Sequence, residues 1–366
     1  MSSPNGTRYE SVNDLWTDAL NQVQRYGEDV ESRVGPAREL IPWSGTIEDA
    51  SKSFLTTGLR LSPEYAAGEL AWYLSGKRSA KDILAYAPRY KRFLEEDDIA
   101  WGAYGHRWSA DPTFLIAKTQ INPKLPYTQD QIDHGAPLLD KGSSDPYYSQ
   151  LKTAIEILKS DKMSRQVVLT LYNAGDLAWS HAKLKRNIPC TVCLQFLLRH
   201  DRLHAISYSR SQDLFIGFPY DVFAFCAITR IVALGVGVEV GSYTHNVGSL
   251  HLYKEHAGKT NPAAYTGEAG SWATPKKFDL HNEIKMFGAL ERKLRRQQEI
   301  NDPERVAEWW RPDFILQQLD YNINCPMLYD LLLISAIRFI PENQEVLIRK
   351  IRSESVKAYV KAWKAK

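Results

Sequence analysis

Residues 188–221 read IPCTVCLQFLLRHDRLHAISYSRSQDLFIGFPYD, and this stretch decides the fold. Cys190 to Leu198 is apolar and β-prone, Arg199-His200-Asp201-Arg202 is polar, and Leu203 to Ser209 is apolar again. That pattern predicts a β-hairpin. Pro219 to Leu234 then places Val222, Phe225, Ile228 and Val232 with a period near four, which predicts a buried helix. Residues able to do chemistry sit at the ends of these elements: Cys190 opens a strand, Arg210-Ser211-Gln212-Asp213 closes the next, and Gly217 to Asp221 leads into the helix.

Working outward, Gln166 to Tyr172 reads as a further strand and Val238 to Tyr253 as strand-turn-strand. Gly235-x-Gly237-x-x-x-Gly241 lacks the spacing and following helix of a dinucleotide loop and reads as a strand turn. Ser62 to Leu74 reads as a helix, with Pro63 in its first turn and Gly76 past its end. It carries Glu69 among Leu70, Trp72 and Tyr73. Val12, Leu15, Leu20 and Val23 mark an N-terminal helix before a Ser32–Pro36 loop. Residues 120–147 read as a long loop, and Tyr148 to Leu158 as a helix. From Phe278 onward the chain is helical and charged, and Glu291 to Arg296 reads as a solvated face.

Composition narrows the classes. With 44% hydrophobic and 24% charged residues over 366, there is material for a large core. A net charge of +3, with acids and bases interleaved, argues against a bulk nucleic-acid binder. Four cysteines in such a length make no disulfide framework. The polar N-terminus lacks a signal-peptide pattern, and the longest aliphatic stretch, around Leu331 to Ile337, is short of a membrane span. A reduced, cytoplasmic protein without a membrane role is expected.

A thiol, an arginine beside a hydroxyl, and two carboxylates at strand ends suit nucleophilic catalysis on an anionic substrate. A small buried cysteine with capping Ser and Asp fits the same pattern. Cys190-x-x-Cys193 has no second Cys/His pair at ligand spacing, so no metal is expected. His245 and His256 read as loop or core histidines.

Order and spacing add a resemblance. IPCTVCLQF, YSRSQDLFIGFPYD and HNVGSLHLYKEH resemble, in sequence, three motifs of the thymidylate synthase family: Pro-Cys then Gln-Phe; Arg-Ser-x-Asp then Gly-x-Pro-Phe-Asn; and His-x-Tyr. GELAWYLSG, WGAYGHRW, SRQVVLTLYN and SRVGPAREL echo further family segments, so the likeness spans roughly residues 30–256. It implies an α+β fold with a mixed central sheet flanked by helices. A catalytic domain over 1–266 and a helical extension over 267–366, packed on the same domain, are expected.

The resemblance also implies roles. Cys190 is the nucleophile that adds to C6 of a pyrimidine. Arg210 and Ser211 hold the phosphate with Arg33, and with Arg165 from the second subunit of a homodimer. His251 and Tyr253 hold the sugar, Glu69 relays protons near the base, and Tyr104 assists the proton step at C5. Asp213 and Gly217 face the folate co-substrate, 5,10-methylenetetrahydrofolate.

Departures from the synthases shape the expected reaction. Asp221 stands where the synthases have Asn. An amide complements uracil, whereas a carboxyl accepts from the cytosine amine and donates to N3 or pairs with protonated N3. This change marks the cytidylate and deoxycytidylate hydroxymethylases. The segment Phe93 to Ala100 lacks the synthase tryptophan pair, and the tail Ala362 to Lys366 lacks the synthase ending. Both favour capture of the methylene by water. Thr191 and Ser249 replace a His and an Asp. CMP is favoured over dCMP because the longer chain resembles the cytidylate group of nucleoside-antibiotic biosynthesis, and because Ala205 is small where the sugar was expected. A thymidylate synthase with an unusual base contact, and an inactive nucleotide- or RNA-binding homologue, are the alternatives.

Overall fold

The computed structural model describes residues 7–94, 98–110, 150–182, 187–264, 266–296 and 312–366. The 120–147 loop, the start of the helix expected from Tyr148, and part of the 93–100 segment lie outside them.

Short β1 (Arg8–Tyr9) leads into α1 (Val12–Tyr26). Ser11 caps α1 through the Asp14 N–H, and Val12, Leu15, Trp16, Ala19, Leu20 and Val23 form its buried stripe. Then come β2 (Glu28–Glu31), β3 (Pro36–Leu40) and β4 (Trp43–Ile47). Helix α2 (Pro63–Ser75) starts at the Ser62 cap and stops at Gly76, whose φ of 67° is the left-handed conformation that ends helices. Short α3 (Lys81–Leu84) and α4 (Tyr104–Ala110) precede α5 (Gln150–Ser160). Strand β5 covers only Val168–Thr170 of the seven residues expected, and α6 (Ala174–His181) follows it behind an Asn173/Asp176 capping box.

The hairpin forms as read: β6 (Thr191–Arg199) and β7 (Arg202–Asp213) are antiparallel, with Arg199 opposite Arg202. His200 and Asp201 make the turn at φ of 52° and 53°, the positive values that match the twist of paired strands. Helix α7 (Gly217–Val236) crosses from β7 to β8 (Glu239–Tyr253), which runs parallel to β7. The eight-stranded mixed sheet has the order β1-β4-β8-β7-β6-β5, and β3 joins β2 to the far end of β8.

Two expectations are corrected around α7. The region read as strand-turn-strand is one continuous strand, Glu239–Tyr253. A Cβ at Gly241 would lie 2.7 Å from the His204 ring, and one at Gly248 2.9 Å from the Arg210 carbonyl. These glycines answer the close approach of β7 and do not mark a turn. Gly237, at φ 87°, caps the end of α7. Among the described residues, the helix most like a membrane span is also α7 and not the Leu331 to Ile337 stretch. By length and composition it would cross a membrane, yet 72% of its most apolar window is buried inside this fold.

After α8 (Lys254–Ala257) the C-terminal part is helical: α9 (Leu280–Arg296), α10 (Pro312–Asn322), α11 (Pro326–Phe339), α12 (Gln344–Lys350) and α13 (Glu354–Lys364). Helices α9 and α11 pack directly on α2. One continuous hydrophobic cluster runs from Val12 of α1 through α2 and α7 to Val360 of α13. The charged face of α9 is not wholly solvated. Glu291 is buried, accepts from the Tyr86 hydroxyl at 3.0 Å and pairs with Arg295, which also meets Asp82 at 3.0 Å.

Candidate active site

Helix α2 supplies a buried carboxyl, that of Glu69. Tyr65, Glu69 and Tyr73 stand four residues apart, so they share one helix face. The Tyr65 hydroxyl donates to Glu69 Oε1 at 2.7 Å, while the buried Oε2 makes no protein hydrogen bond. Burial, with the charge of Asp221 added, pushes the Glu69 carboxyl up to about 8, against the pull of the two tyrosine hydroxyls. Helix α4 reaches this face because Gly105 lies against the Tyr73 backbone, where a Cβ would come within 2.2 Å of the carbonyl oxygen. Tyr104 is thereby set 5.5 Å from Tyr73, ring to ring. Its hydroxyl accepts the Thr191 N–H at 3.1 Å, one residue past Cys190.

Cys190 sits immediately before β6. The Arg210 amide donates to the Cys190 carbonyl at 2.9 Å, locking the end of β7 to the thiol's own backbone. The Arg210 guanidinium folds over the same turn, donating to the carbonyls of Pro189 (3.0 Å) and Ile188 (3.2 Å) and reaching Sγ at 3.7 Å. Burial pushes the thiol up; Arg210 pulls it back and Asp221 adds to the rise. Asp221, the fifth residue of α7, is raised by burial to about 6, against the lowering effect of a 2.8 Å hydrogen bond from Gln212 Nε2.

A second cluster lies where β7 and β8 end side by side, with Asp213 opposite His251. Asp213 Oδ1 accepts the Phe215 N–H at 2.8 Å, and burial raises its carboxyl despite nearby His251 and His256. Phe215 stacks on His256 with centroids 4.2 Å apart, and the Arg60 guanidinium lies 3.7 Å above the same ring. His251 and Tyr253 are in ring contact, and Arg33 and Ser32 act on the Tyr253 hydroxyl. Ser249 is held by the Glu39 carboxylate.

Most of the residues named from sequence therefore converge: Glu69, Tyr104, Cys190, Arg210 and Asp221 around the thiol, Asp213, His251, Tyr253 and Arg33 at its flank. Ser211 lies beside Ser249 on the same strand pair. Arg165 stands apart. It is exposed before β5, and its carbonyl accepts from Gln195, five residues along β6 from Cys190 and so about 16 Å away.

Ala205 must be reassigned. It is buried in the sheet opposite Phe196 and Tyr243, five residues before Arg210, and carries no information about the sugar. Cys190 and Cys193 are both free thiols, and among the described residues no group of three or more His, Cys, Asp or Glu is disposed to hold a metal. His245 is a core histidine bonded to Ser207 and Tyr243, with burial holding its pKa down at about 3.

Several site residues escaped the motif reading. Tyr65 and Tyr73 are signalled by their i−4 and i+4 relation to Glu69. Tyr90 and Asn187 carry no such signal; the Asn187 amide donates to the Tyr90 hydroxyl at 3.3 Å while its oxygen holds the Gly102 N–H at 2.9 Å. Gln212 lay in view, inside Arg-Ser-x-Asp, at the position the motif leaves free.

A buried carboxyl pair beside a strand-borne thiol and an arginine defines a site for nucleophilic attack on an anionic, hydrogen-bonding substrate. The thymidylate synthase family model matches residues 14–266. The chain belongs to the thymidylate synthase family, enzymes that transfer a one-carbon unit from folate to a pyrimidine nucleotide.

Proposed function

We propose that this enzyme hydroxymethylates C5 of a cytosine nucleotide, with CMP preferred on the resemblance of the longer chain to the cytidylate branch. The single observation that carries the reading is Asp221: a buried carboxyl, raised to about 6, held beside Cys190 and Glu69. Cys190, as thiolate, adds to C6 and makes C5 nucleophilic. Asp221 accepts from the N4 amine and shares its proton with N3, offsetting the charge that develops on the ring. Glu69, protonated near neutrality, moves protons through its free Oε2, and Tyr104 serves the proton step at C5.

Arg210 and Ser211, with Arg33, bind the phosphate. Engaging it requires the Arg210 guanidinium to turn from the Ile188 and Pro189 carbonyls. His251 and Tyr253 hold the sugar. The Phe215–His256 stack beside Asp213 fits a flat, hydrogen-bonding pterin, so the donor set suits folate, with Gly217 nearby. Methylenetetrahydrofolate supplies the one-carbon unit. Water then captures the exocyclic methylene on the base, giving hydroxymethyl and leaving the folate unoxidised.

Arg165 acts, in this reading, in a partner's site. Its distance from Cys190 within the chain supports that. So does the half-exposed second face of β7, where Ile206 is partly open and Tyr208 is 44% exposed. We read residues 267–366 as an extension packed on the catalytic domain, because α9 and α11 cover the helix that carries Glu69.

Competition among CMP, dCMP, UMP and dUMP, with product mass and folate oxidation followed, tests the proposal. Hydroxymethyl product from the cytosine nucleotides is expected, with no dihydrofolate. Asp221→Asn is expected to shift the cytosine-to-uracil ratio of kcat/KM by about two to four orders of magnitude, at ~1–3 kcal/mol per mismatched group. Methyl product with dihydrofolate release would instead establish a thymidylate synthase, and no turnover of any nucleotide an inactive homologue.

A further inference from the structure

We propose that Gln212 fixes the hydrogen-bond polarity of Asp221 and thereby sets the preference for cytosine over uracil. The inference rests on Asp221 meeting the base, as above, and makes Gln212 a positioning residue that acts through it.

A neutral carboxyl carries one donor and one acceptor, and it exchanges them by moving its proton between oxygens. Alone it complements cytosine, which offers an amine donor and an N3 acceptor. It complements uracil equally well, offering its own proton to O4 and a bare oxygen to N3–H. Replacing Asn by Asp therefore permits cytosine without rejecting uracil. Something outside the carboxyl has to choose.

Gln212 makes that choice. Its Nε2 donates to Asp221 Oδ2 at 2.8 Å, so Oδ2 is kept as an acceptor and the proton is directed to Oδ1. Cytosine matches when its amine meets Oδ2 and N3 meets Oδ1; uracil in that pose makes two mismatches. The amide is well placed for the task. Gln212 is 3% exposed, and its buried Oε1 has no hydrogen-bond partner, so the bond to Asp221 is what orients it. Turned over, its Oε1 would accept the carboxyl proton from Oδ2 and set the opposite polarity, so it is this orientation of the amide that selects cytosine.

Gly217 makes the room: a Cβ there would lie 2.7 Å from Gln212 Nε2. The role expected for Gly217 toward folate thus acquires a simpler companion, clearance for this amide. The groups whose charge couples to Asp221 are Glu69 and Tyr73 of α2, Tyr90, Tyr104 of α4, Cys190, and Tyr243 of β8. Burial is what raises the Asp221 pKa, and the Gln212 hydrogen bond is what lowers it.

The test measures kcat/KM for CMP, UMP and their deoxy forms from pH 5.5 to 8.5 in wild type, Gln212→Leu, Gln212→Glu, Gly217→Ala and Asp221→Asn. Gln212→Leu is expected to lower the cytosine-to-uracil ratio by about 10- to 100-fold. Its alkaline limb for the cytosine nucleotides should move to higher pH, because Asp221 then holds its proton longer. Gln212→Glu keeps the shape, removes the donor and should lower the ratio at least as far. Gly217→Ala, which displaces Nε2 and leaves Gln212 in the chain, should act in the same direction and decides the matter with Gln212→Glu if the Leu variant does not fold. An unchanged ratio and pH limb in the Gln212 and Gly217 variants, with a changed ratio in Asp221→Asn, overturns the role of Gln212 alone. Equal loss of cytosine and uracil turnover assigns Gln212 a merely structural part and overturns it too. An unchanged ratio in all four variants overturns the reading of Asp221 itself.

Discussion

Glu69 shows how a single residue is tuned by what surrounds it. On an exposed helix it would be ionised at neutral pH; here burial and the neighbouring Asp221 raise it to about 8. The folded state therefore keeps a proton that the unfolded chain releases near 4.5. Through that window folding takes up a proton, so this group's contribution to stability falls as pH rises from about 4.5 to 8. Glu69→Gln removes the titration. Its melting temperature should match the wild type near pH 4.5 and exceed it by several degrees at pH 8, a difference on the order of a few kcal/mol. Calorimetry across pH checks this. A constant offset at every pH would mean that Glu69 is ionised in the native protein. The same variant should lose most of its turnover, since a neutral amide relays no proton.

At the scale of elements, the site is an assembly of helices α2 and α4, the start of α7 and three strand ends, and close packing sets its dimensions. Gly68, next to Glu69, faces the ring of Tyr86. A Cβ at Gly68 would lie 2.3–2.6 Å from three ring atoms, inside any real contact. Tyr86 cannot readily yield, because its ring packs on Phe339 (centroids 5.0 Å apart) and its hydroxyl is bonded to Glu291. Gly68→Ala should thus push α2 off its support, costing about 1–3 kcal/mol despite the better helix propensity of alanine. The urea midpoint should fall, and kcat should fall with it because Glu69 moves with its helix. A midpoint at or above that of the wild type would show that Tyr86 has room to shift. The pair 68/86 is also a clear case of what a motif cannot convey. GELAWYLSG marks the helix and its glutamate, while the reason for the glycine is Tyr86, a ring held in place by C-terminal helices outside the matched family region.

The whole molecule has a sheet with one face under α7 and the other partly open, and a phosphate-binding arginine expected from sequence that is far from its own thiol. The proposed homodimer would reconcile the two. Sedimentation should give about 83 kDa, twice the 41.7 kDa chain, at concentrations where the enzyme is active. Arg165→Ala should raise KM for the nucleotide at least tenfold while leaving that mass unchanged. A fully active monomer, or an Arg165→Ala variant with wild-type KM, would remove the shared clamp.

Much of this was legible in residue order. The hairpin, the buried α7 and the capped α2 follow from hydrophobic period and turn chemistry, which are local properties of the chain; pairing of Arg199 with Arg202 narrows the four-residue connection to a two-residue turn. The thiol, Arg210, the two aspartates and Glu69 could be named because motif order ties them to one site. Other assignments required the tertiary structure, because they depend on which strand or helix lies alongside. Gly241 reads as part of a strand turn in sequence, and only the His204 ring of β7, lying against it, shows otherwise. Ala205 read as a sugar contact until strand register buried it. Gln212 reads as a filler between serine and aspartate in sequence. Only the return of α7 across the end of β7 brings its amide to Asp221, and that contact joins residues whose meeting no local pattern records.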